Sequence, residues 1–254
     1  MKLHVFGSGT AIPHPERGAS GYALVAADGT ACLIECGPGS TRRWPGAGVT
    51  FRSARAIFVT HLHVDHCCDL PAVLFGRALS LPDTPLALLG PVGYGAHIEG
   101  IRALHAPWLS EGQELVEVVE MGDGDRATVG PFELETRCVL HPGAALGVRV
   151  RAGGVTFAFS GDSGPCEALV ELSRGADLVM LECSYPAERV TRRHLNTQTA
   201  ARVATDAGVE RLVLTHFSAM CDGVDIEAEV RAAGYTGWLQ LARDGDSIDV
   251  AGST

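Results

Sequence analysis

The stretch His61-Leu62-His63-Val64-Asp65-His66 places three imidazoles and a carboxylate within six residues. Neutral imidazole nitrogen and carboxylate oxygen together form a donor set that suits zinc. The preceding run, Ala56-Ile57-Phe58-Val59-Thr60, is β-branched and aromatic and reads as a buried strand. Side chains at i and i+2 of an extended segment point the same way, so His61 and His63 can reach one metal. Asp65 and His66 fall where the chain turns into a helix and can face a second one. A merely solvated, His-rich turn would need no partners downstream, yet His141, Asp162 and His216 each follow an apolar run. Those runs, 137–140, 155–160 and 211–215, read as strands, and loops at strand ends are where a sheet scaffold presents chemistry.

The elements that must position these groups alternate along the chain. Strands are predicted at 3–6, 22–26, 31–35, 56–60, 86–89, 115–119, 132–140, 146–151, 155–159, 178–181 and 211–215. The first 60 residues read as a meander, with a hairpin across Asp28-Gly29. Helices are predicted at 70–81, with Pro71 in the first turn, and at 95–105, 167–173, 197–207 and 226–233. Asn196 or Thr197 caps the fourth of these and Gly208 ends it. His97 and His105 read as surface or rim residues, Trp108 and Leu109 as core packing, and Cys67 and Cys68 as small buried hydrophobes.

The ordered pattern H-x-H-x-D-H, then His141, Asp162 and His216, resembles that of the metallo-β-lactamase fold superfamily. Its ribonuclease Z-like branch is the nearest match. Gly7-Ser8-Gly9-Thr10 with Pro13 and Arg17, Glu35-Cys36-Gly37-Pro38-Gly39, Gly161-Asp162-Ser163, Leu181-Glu182-Cys183, His194-Leu195-Asn196-Thr197 and Leu214-Thr215-His216-Phe217-Ser218 resemble its segments from about residue 3 to about residue 220. The resemblance implies an α/β fold, one domain over residues 1–254, built as a four-layer αββα sandwich with metals at one edge.

It also implies a ligand set. His61, His63 and His141 would take one metal, Asp65, His66 and His216 the other, and Asp162 would bridge them. Two divalent ions roughly 3.5–4 Å apart share a water, lower its pKa toward ~7 and make it a nucleophile. Zinc is the expected metal, with manganese or iron compatible with the same donors. Asp69 is a candidate to orient a ligand from behind. His194 sits in a segment resembling the branch's catalytic histidine, so it is expected to protonate the departing alkoxide, with Glu182 holding the imidazole in place. Ser218 and Ser163 keep hydroxyls that could donate to a phosphate. The segment after His216 departs from ribonuclease Z, with Met220 and Cys221 where that branch usually carries Arg and Tyr.

Composition narrows the function further. The 254 residues are 46% hydrophobic and 20% charged, an ordinary globular balance, and no apolar run approaches the ~20 residues that span a bilayer. A start on the strand 3–6, without a basic region or cleavage site, predicts a cytoplasmic protein. Eight dispersed cysteines suggest reduced thiols. A net charge of −10 argues against a broad nucleic-acid surface. The local pairs Arg42-Arg43, Arg149 with Arg151, and Arg192-Arg193 read as solvated surface, the last abutting His194. Ribonuclease Z proteins of this resemblance carry a protruding arm between the third metal histidine and the bridging aspartate. Here residues 142–161 are consumed by two strands and a Gly153-Gly154 turn. The expected protein is a binuclear phosphodiesterase acting on small or cyclic phosphodiesters, ahead of a transfer-RNA 3′-end endonuclease. A lactone, thioester or β-lactam hydrolase, and a metal-binding interaction protein without turnover, are the alternatives. No membrane partner is expected, and a homodimer is left open.

Overall fold

A computed structural model describes residues 1–109 and 114–252. Strand alternation sorts the apolar residues into layers. In β1 (Lys2–Gly7), Leu3 and Val5 face a central core while Phe6 faces outward to a second one. In β2 (Gly21–Val25), Tyr22 and Leu24 point in and Ala23 points out. The same period-two division holds in β3 (Ala31–Ile34) and β4 (Ala54–Phe58), where Ile34 and Phe58 enter the central core and Leu33 and Ile57 the outer one. Both strand faces are buried, so these segments read as nearly continuous apolar runs.

These strands, with β5 (Leu86–Pro91), β6 (Val116–Met121) and β14 (Ser247–Asp249), form a sheet of order β14-β1-β2-β3-β4-β5-β6. The second sheet has the order β13-β12-β11-β10-β9-β8-β7. It comprises β7 (Arg126–Val129), β8 (Phe132–Cys138), β9 (Leu146–Ala152), β10 (Val155–Phe159), β11 (Leu178–Glu182), β12 (Arg211–Thr215) and β13 (Trp238–Leu241). The sheets pack face to face across Phe58, Phe132, Phe157 and Phe159. Helices α1 (Val64–Cys67), α2 (Leu70–Ser80) and α3 (Tyr94–Leu104) cover the first sheet. Helices α4 (Glu167–Ser173), α5 (Thr197–Asp206) and α6 (Ile226–Ala232) cover the second. The result is the four-layer αββα sandwich expected from the sequence. No helix among the described residues is long and apolar enough to cross a membrane.

Strands β3 to β6 are mutually parallel, as are β10 to β13, and β8 runs with β10 because two antiparallel pairings separate them. The segments after β3, β4, β8, β10, β11 and β12 therefore all emerge at one edge of the sandwich. That places residues 35, 61–66, 141, 162, 182 and 216 together.

The structure departs from sequence expectation at several elements. The first 60 residues are a meander only through β3, since β4 returns parallel to β3 and parallel pairing requires a crossover. That crossover contains a 3₁₀ turn, Thr41–Ala47, whose Trp44 is buried under the first sheet. Strands β7, β13 and β14 were not anticipated. Each is an edge strand with exposed positions, so its short apolar pattern is weak and pairing with a neighbour creates it. Trp108, expected in the core, is 71% exposed, while Leu109 beside it is buried. Of the adjacent cysteines, Cys67 is buried but Cys68 is exposed, because neighbouring helical positions point about 100° apart. All eight cysteines are free thiols.

One hydrogen bond ties the two sheets directly behind the site. The buried Tyr22 hydroxyl of β2 lies 2.9 Å from Thr215 Oγ1 at the end of β12. Burial pushes the Tyr22 phenol well above its ordinary pKa, so it stays protonated. Tyr22→Phe is expected to cost about 1–2 kcal/mol, since it strands a buried hydroxyl, and a urea midpoint measurement would show it.

Candidate metal centre

Strand β4 ends at Phe58, so His61 and His63 lie on the loop beyond it rather than on the strand itself. They converge through different ring nitrogens: His61 Nε2 is 3.0 Å from His63 Nδ1. His63 Nδ1 is also 3.4 Å from His141 Nε2. Asp162 Oδ2 completes this group at 3.8 Å from His61 Nε2 and 4.0 Å from His141 Nε2. A second group surrounds the other oxygen of the same carboxylate. Asp162 Oδ1 is 3.5 Å from His66 Nε2 and 3.4 Å from His216 Nε2, and Asp65 Oδ2 is 3.5 Å from each of those nitrogens. Ligand atoms of a tetrahedral zinc site lie roughly 3.3 Å apart, the edge length set by bonds of about 2.0–2.1 Å. The second group has that spacing, at 3.4–3.5 Å, and the first brackets it, at 3.0–4.0 Å, so the structure brings all seven candidate ligands together around one carboxylate.

The donor atoms fit cations on a second ground. His66 Nε2, His216 Nε2 and Asp162 Oδ1 are buried and have no hydrogen-bond partner. Orphaned buried polar atoms are costly, and a divalent cation at their common focus would engage all three. The electrostatics agree. Burial alone would raise the carboxyl of Asp162, yet His216 and His66 hold it well below the usual carboxylate range. Burial and His66 lower His61 to about 2, and burial lowers His141, so both stay neutral with a lone pair to give. His66 goes the other way: burial opposes its charge, but Asp162 and Glu35 raise it well above its ordinary value. Those two buried acids demand a nearby positive charge.

Behind the donor atoms, the second ring nitrogens are held. His61 Nδ1 donates to Thr60 Oγ1 at 3.0 Å, and Thr60 in turn donates to Glu35. His66 Nδ1 makes no hydrogen bond but lies at ion-pair distance, 3.3 Å, from Glu35 Oε1. His141 Nδ1 donates to the Arg193 carbonyl at 3.0 Å. His216 Nδ1 donates to Ser184 Oγ at 2.9 Å. The hydrogen bonds on His61, His141 and His216 fix the tautomer that turns Nε2 toward a metal. Glu35 and His216 both adopt left-handed backbone, with φ of 63° and 61°. That conformation is unfavourable for side chains with a Cβ, and strain of this kind gathers at functional sites. Close packing also dictates Gly37, where a Cβ would lie 2.1 Å from the Asp65 carbonyl.

His194 borders this cluster. Its Nδ1 is 2.9 Å from Glu182 Oε1, and its ring stacks on His216 with centroids 5.9 Å apart and planes 13° apart. No hydrogen bond engages its Nε2 among the described residues. Burial disfavours its charged form, but the Glu182 hydrogen bond and charge outweigh this and raise its pKa. Glu182 is fully buried and braced from two sides: Oε1 also accepts from Ser163 N at 2.9 Å, and Oε2 accepts from Ser184 Oγ at 2.7 Å.

Three expectations meet a different outcome. Asp69 accepts from Thr41 N and Oγ1, anchoring the crossover turn, and Glu35 and Thr60 occupy the supporting position proposed for it. The Ser163 hydroxyl donates to the Gly164 carbonyl at 2.6 Å, and that of Ser218 donates to the Ser184 carbonyl at 2.6 Å. Each has spent its one proton on backbone, so neither is free to donate to a phosphate. Glu35 entered the sequence reading only within a family-like segment. Ser184 carried no signal there, because a lone serine after a strand has no distinctive spacing.

The fold and the doubled ligand cluster define a metallo-β-lactamase-type protein. The chain belongs to the beta-lactamase superfamily domain family, whose model matches residues 30–217. It is 30% identical to ribonuclease Z of Streptomyces coelicolor, across 96% of this chain and 95% of that one. That alignment runs over 290 positions, more than the 254 residues here, so the relative carries segments this chain lacks. Among solved structures, the metallo-beta-lactamase fold protein YhfI of Bacillus subtilis superposes with a TM-score of 0.83 at 25% identity, covering 97% of this chain and 98% of that one. The short form of human tRNase Z gives 0.79 at 25% identity, covering 98% and 99%. The ribonuclease Z-like resemblance of the sequence is borne out, and the family is one of hydrolases.

Proposed function

We propose that this protein is a binuclear metal-dependent phosphodiesterase acting on small or cyclic phosphodiesters. The observation that carries the proposal is the pair of donor groups sharing Asp162, with the His194–Glu182 pair at their rim. His61, His63 and His141 would hold one cation, Asp65, His66 and His216 the other, and Asp162 both. Zinc is the metal that the donor set favours. When bound, two such cations acidify a water and stabilise charge on the attacked phosphoryl group. The chain's own residues do the rest. His194, positioned by Glu182, gives its proton to the departing alkoxide oxygen. Thr60, Glu35, Ser184 and the Arg193 carbonyl hold the ligating rings in register.

The preference for small substrates rests on the interval between His141 and Asp162. It is filled by β9, the Gly153-Gly154 turn and β10, which pair with each other inside the second sheet. No protruding arm is present there. Gripping a folded RNA away from its cut takes many Lys and Arg contacts to phosphate, and the chain carries 20 such residues against 30 acids. Similarity to ribonuclease Z makes precursor transfer RNA the competing substrate. Zinc-loaded protein is expected to hydrolyse cyclic phosphodiesters and an aryl phosphodiester, with about two metals per chain by elemental analysis. Efficient, salt-sensitive cleavage of a precursor transfer RNA with cyclic phosphodiesters left intact would overturn the substrate reading. Turnover of esters or lactones in their place would overturn the phosphodiesterase reading.

A further inference from the structure

The segment that carries His194 also carries Arg189, Arg192 and Arg193. All three are exposed, and none has a carboxylate within ion-pair distance among the described residues. Elsewhere an arginine close to an acid is neutralised by it, as Arg17 is by Asp222 and Arg52 by Asp83, whereas these three stand together in one loop without such a partner. Glu188 is the one acid in the same loop, and it makes no ion pair there either.

The loop is tied to the metal cluster. The Arg193 carbonyl holds His141 Nδ1. The Arg192 carbonyl lies against Gly164, two residues from Asp162, where a Cβ would sit 2.0 Å from that oxygen. Asn196 Nδ2 donates to the carbonyls of Ala187 and Arg189, both at 3.2 Å, and fixes the far end. The Arg189 guanidinium is placed as well, 5.7 Å from the centre of the Tyr185 ring, and that ring meets the His194 ring edge-on at 5.9 Å.

Cations held by seven ligands answer the charge of the scissile phosphate. Three unpaired arginines on the His194 side are therefore surplus to it. The group that His194 protonates is the leaving oxygen, so this loop faces the leaving portion of the substrate. Guanidinium binds phosphate through paired, charge-assisted hydrogen bonds. We propose that Arg189, Arg192 and Arg193, with the Tyr185 ring beside them, form a subsite for a second phosphate carried on the leaving group. This rests on the phosphodiesterase reading and narrows its substrate class to phosphodiesters with a further phosphomonoester on the departing side.

The test uses zinc-loaded full-length protein and three substrates: dithymidine phosphate, and the same molecule with an extra terminal phosphate on its 5′ or its 3′ nucleoside. Product analysis identifies which nucleoside leaves. The isomer phosphorylated on the leaving nucleoside should have a kcat/KM about 10–100-fold above the unphosphorylated compound. In the triple variant Arg189→Ala, Arg192→Ala, Arg193→Ala that ratio should fall toward one, and the Arg→Lys triple should recover part of it. No preference in the wild type, a preference for the other isomer, or an unchanged ratio in the alanine variant would overturn the subsite. If none of the three is cleaved and cyclic and aryl phosphodiesters also stay intact, the phosphodiesterase reading itself fails. Titration calorimetry with thymidine 3′,5′-bisphosphate and thymidine 5′-monophosphate then still measures the arginines: a bisphosphate advantage lost in the alanine triple supports the subsite, and equal affinities overturn it.

Discussion

Asp162→Ala will abolish hydrolysis and strip metal from the protein together. The carboxylate stands between two groups of imidazoles, with one oxygen facing His61 and His141 and the other facing His66 and His216. Without it, Asp65 is the one carboxylate left to balance two divalent charges at the donor atoms. Both cations would lose a ligand, and their spacing would no longer be fixed. The expected loss in kcat is about four orders of magnitude or more, consistent with removal of several kcal/mol of transition-state stabilisation. Elemental analysis of the variant, dialysed beside the wild type, should show fewer than two metals per chain. A variant that keeps both metals and most of its activity would remove Asp162 from the bridging position. Wild type holding one ion or none after full loading would remove the binuclear site altogether.

His194→Ala should divide substrates by leaving group. An alkoxide leaves poorly unless protonated, whereas nitrophenolate leaves unaided. The variant should therefore lose about 10²–10⁴-fold in kcat on a phosphodiester with an alkyl leaving group and much less on a nitrophenyl one. Metal content should stay at the wild-type level. His194 Nδ1 does lie 3.8 Å from Asp162 Oδ2, close enough that a ligand role is the competing account. The geometry favours the acid role because that nitrogen is already committed to Glu182 at 2.9 Å. Equal losses on both substrates, or loss of bound metal, would make His194 a ligand or a structural residue. Glu182→Gln tests the partner. It keeps the shape while removing the charge, and it should reproduce the same selectivity in a weaker form.

The sequence by itself determined the chemistry on offer. His61, His63, Asp65 and His66 stand so close along the chain that local geometry alone brings them into reach of one another. The apolar runs before His141, Asp162 and His216 place each of these at a strand end. The layered fold was legible too, because strands buried on both faces leave long apolar runs that survive as a one-dimensional pattern. Edge strands such as β13 and β14 were not legible, since half their side chains face solvent and pairing supplies the order that the pattern lacks. Only the tertiary structure decided which nitrogen of each histidine points at the cluster. The supporting groups show why. Glu35 reaches His66 from 31 positions away in sequence, Ser184 reaches His216 from 32, and the Arg193 carbonyl reaches His141 from 52. Polar contacts across such separations leave no periodicity to read. They exist because parallel strands deliver distant segments to the same edge, where buried polar atoms must find partners.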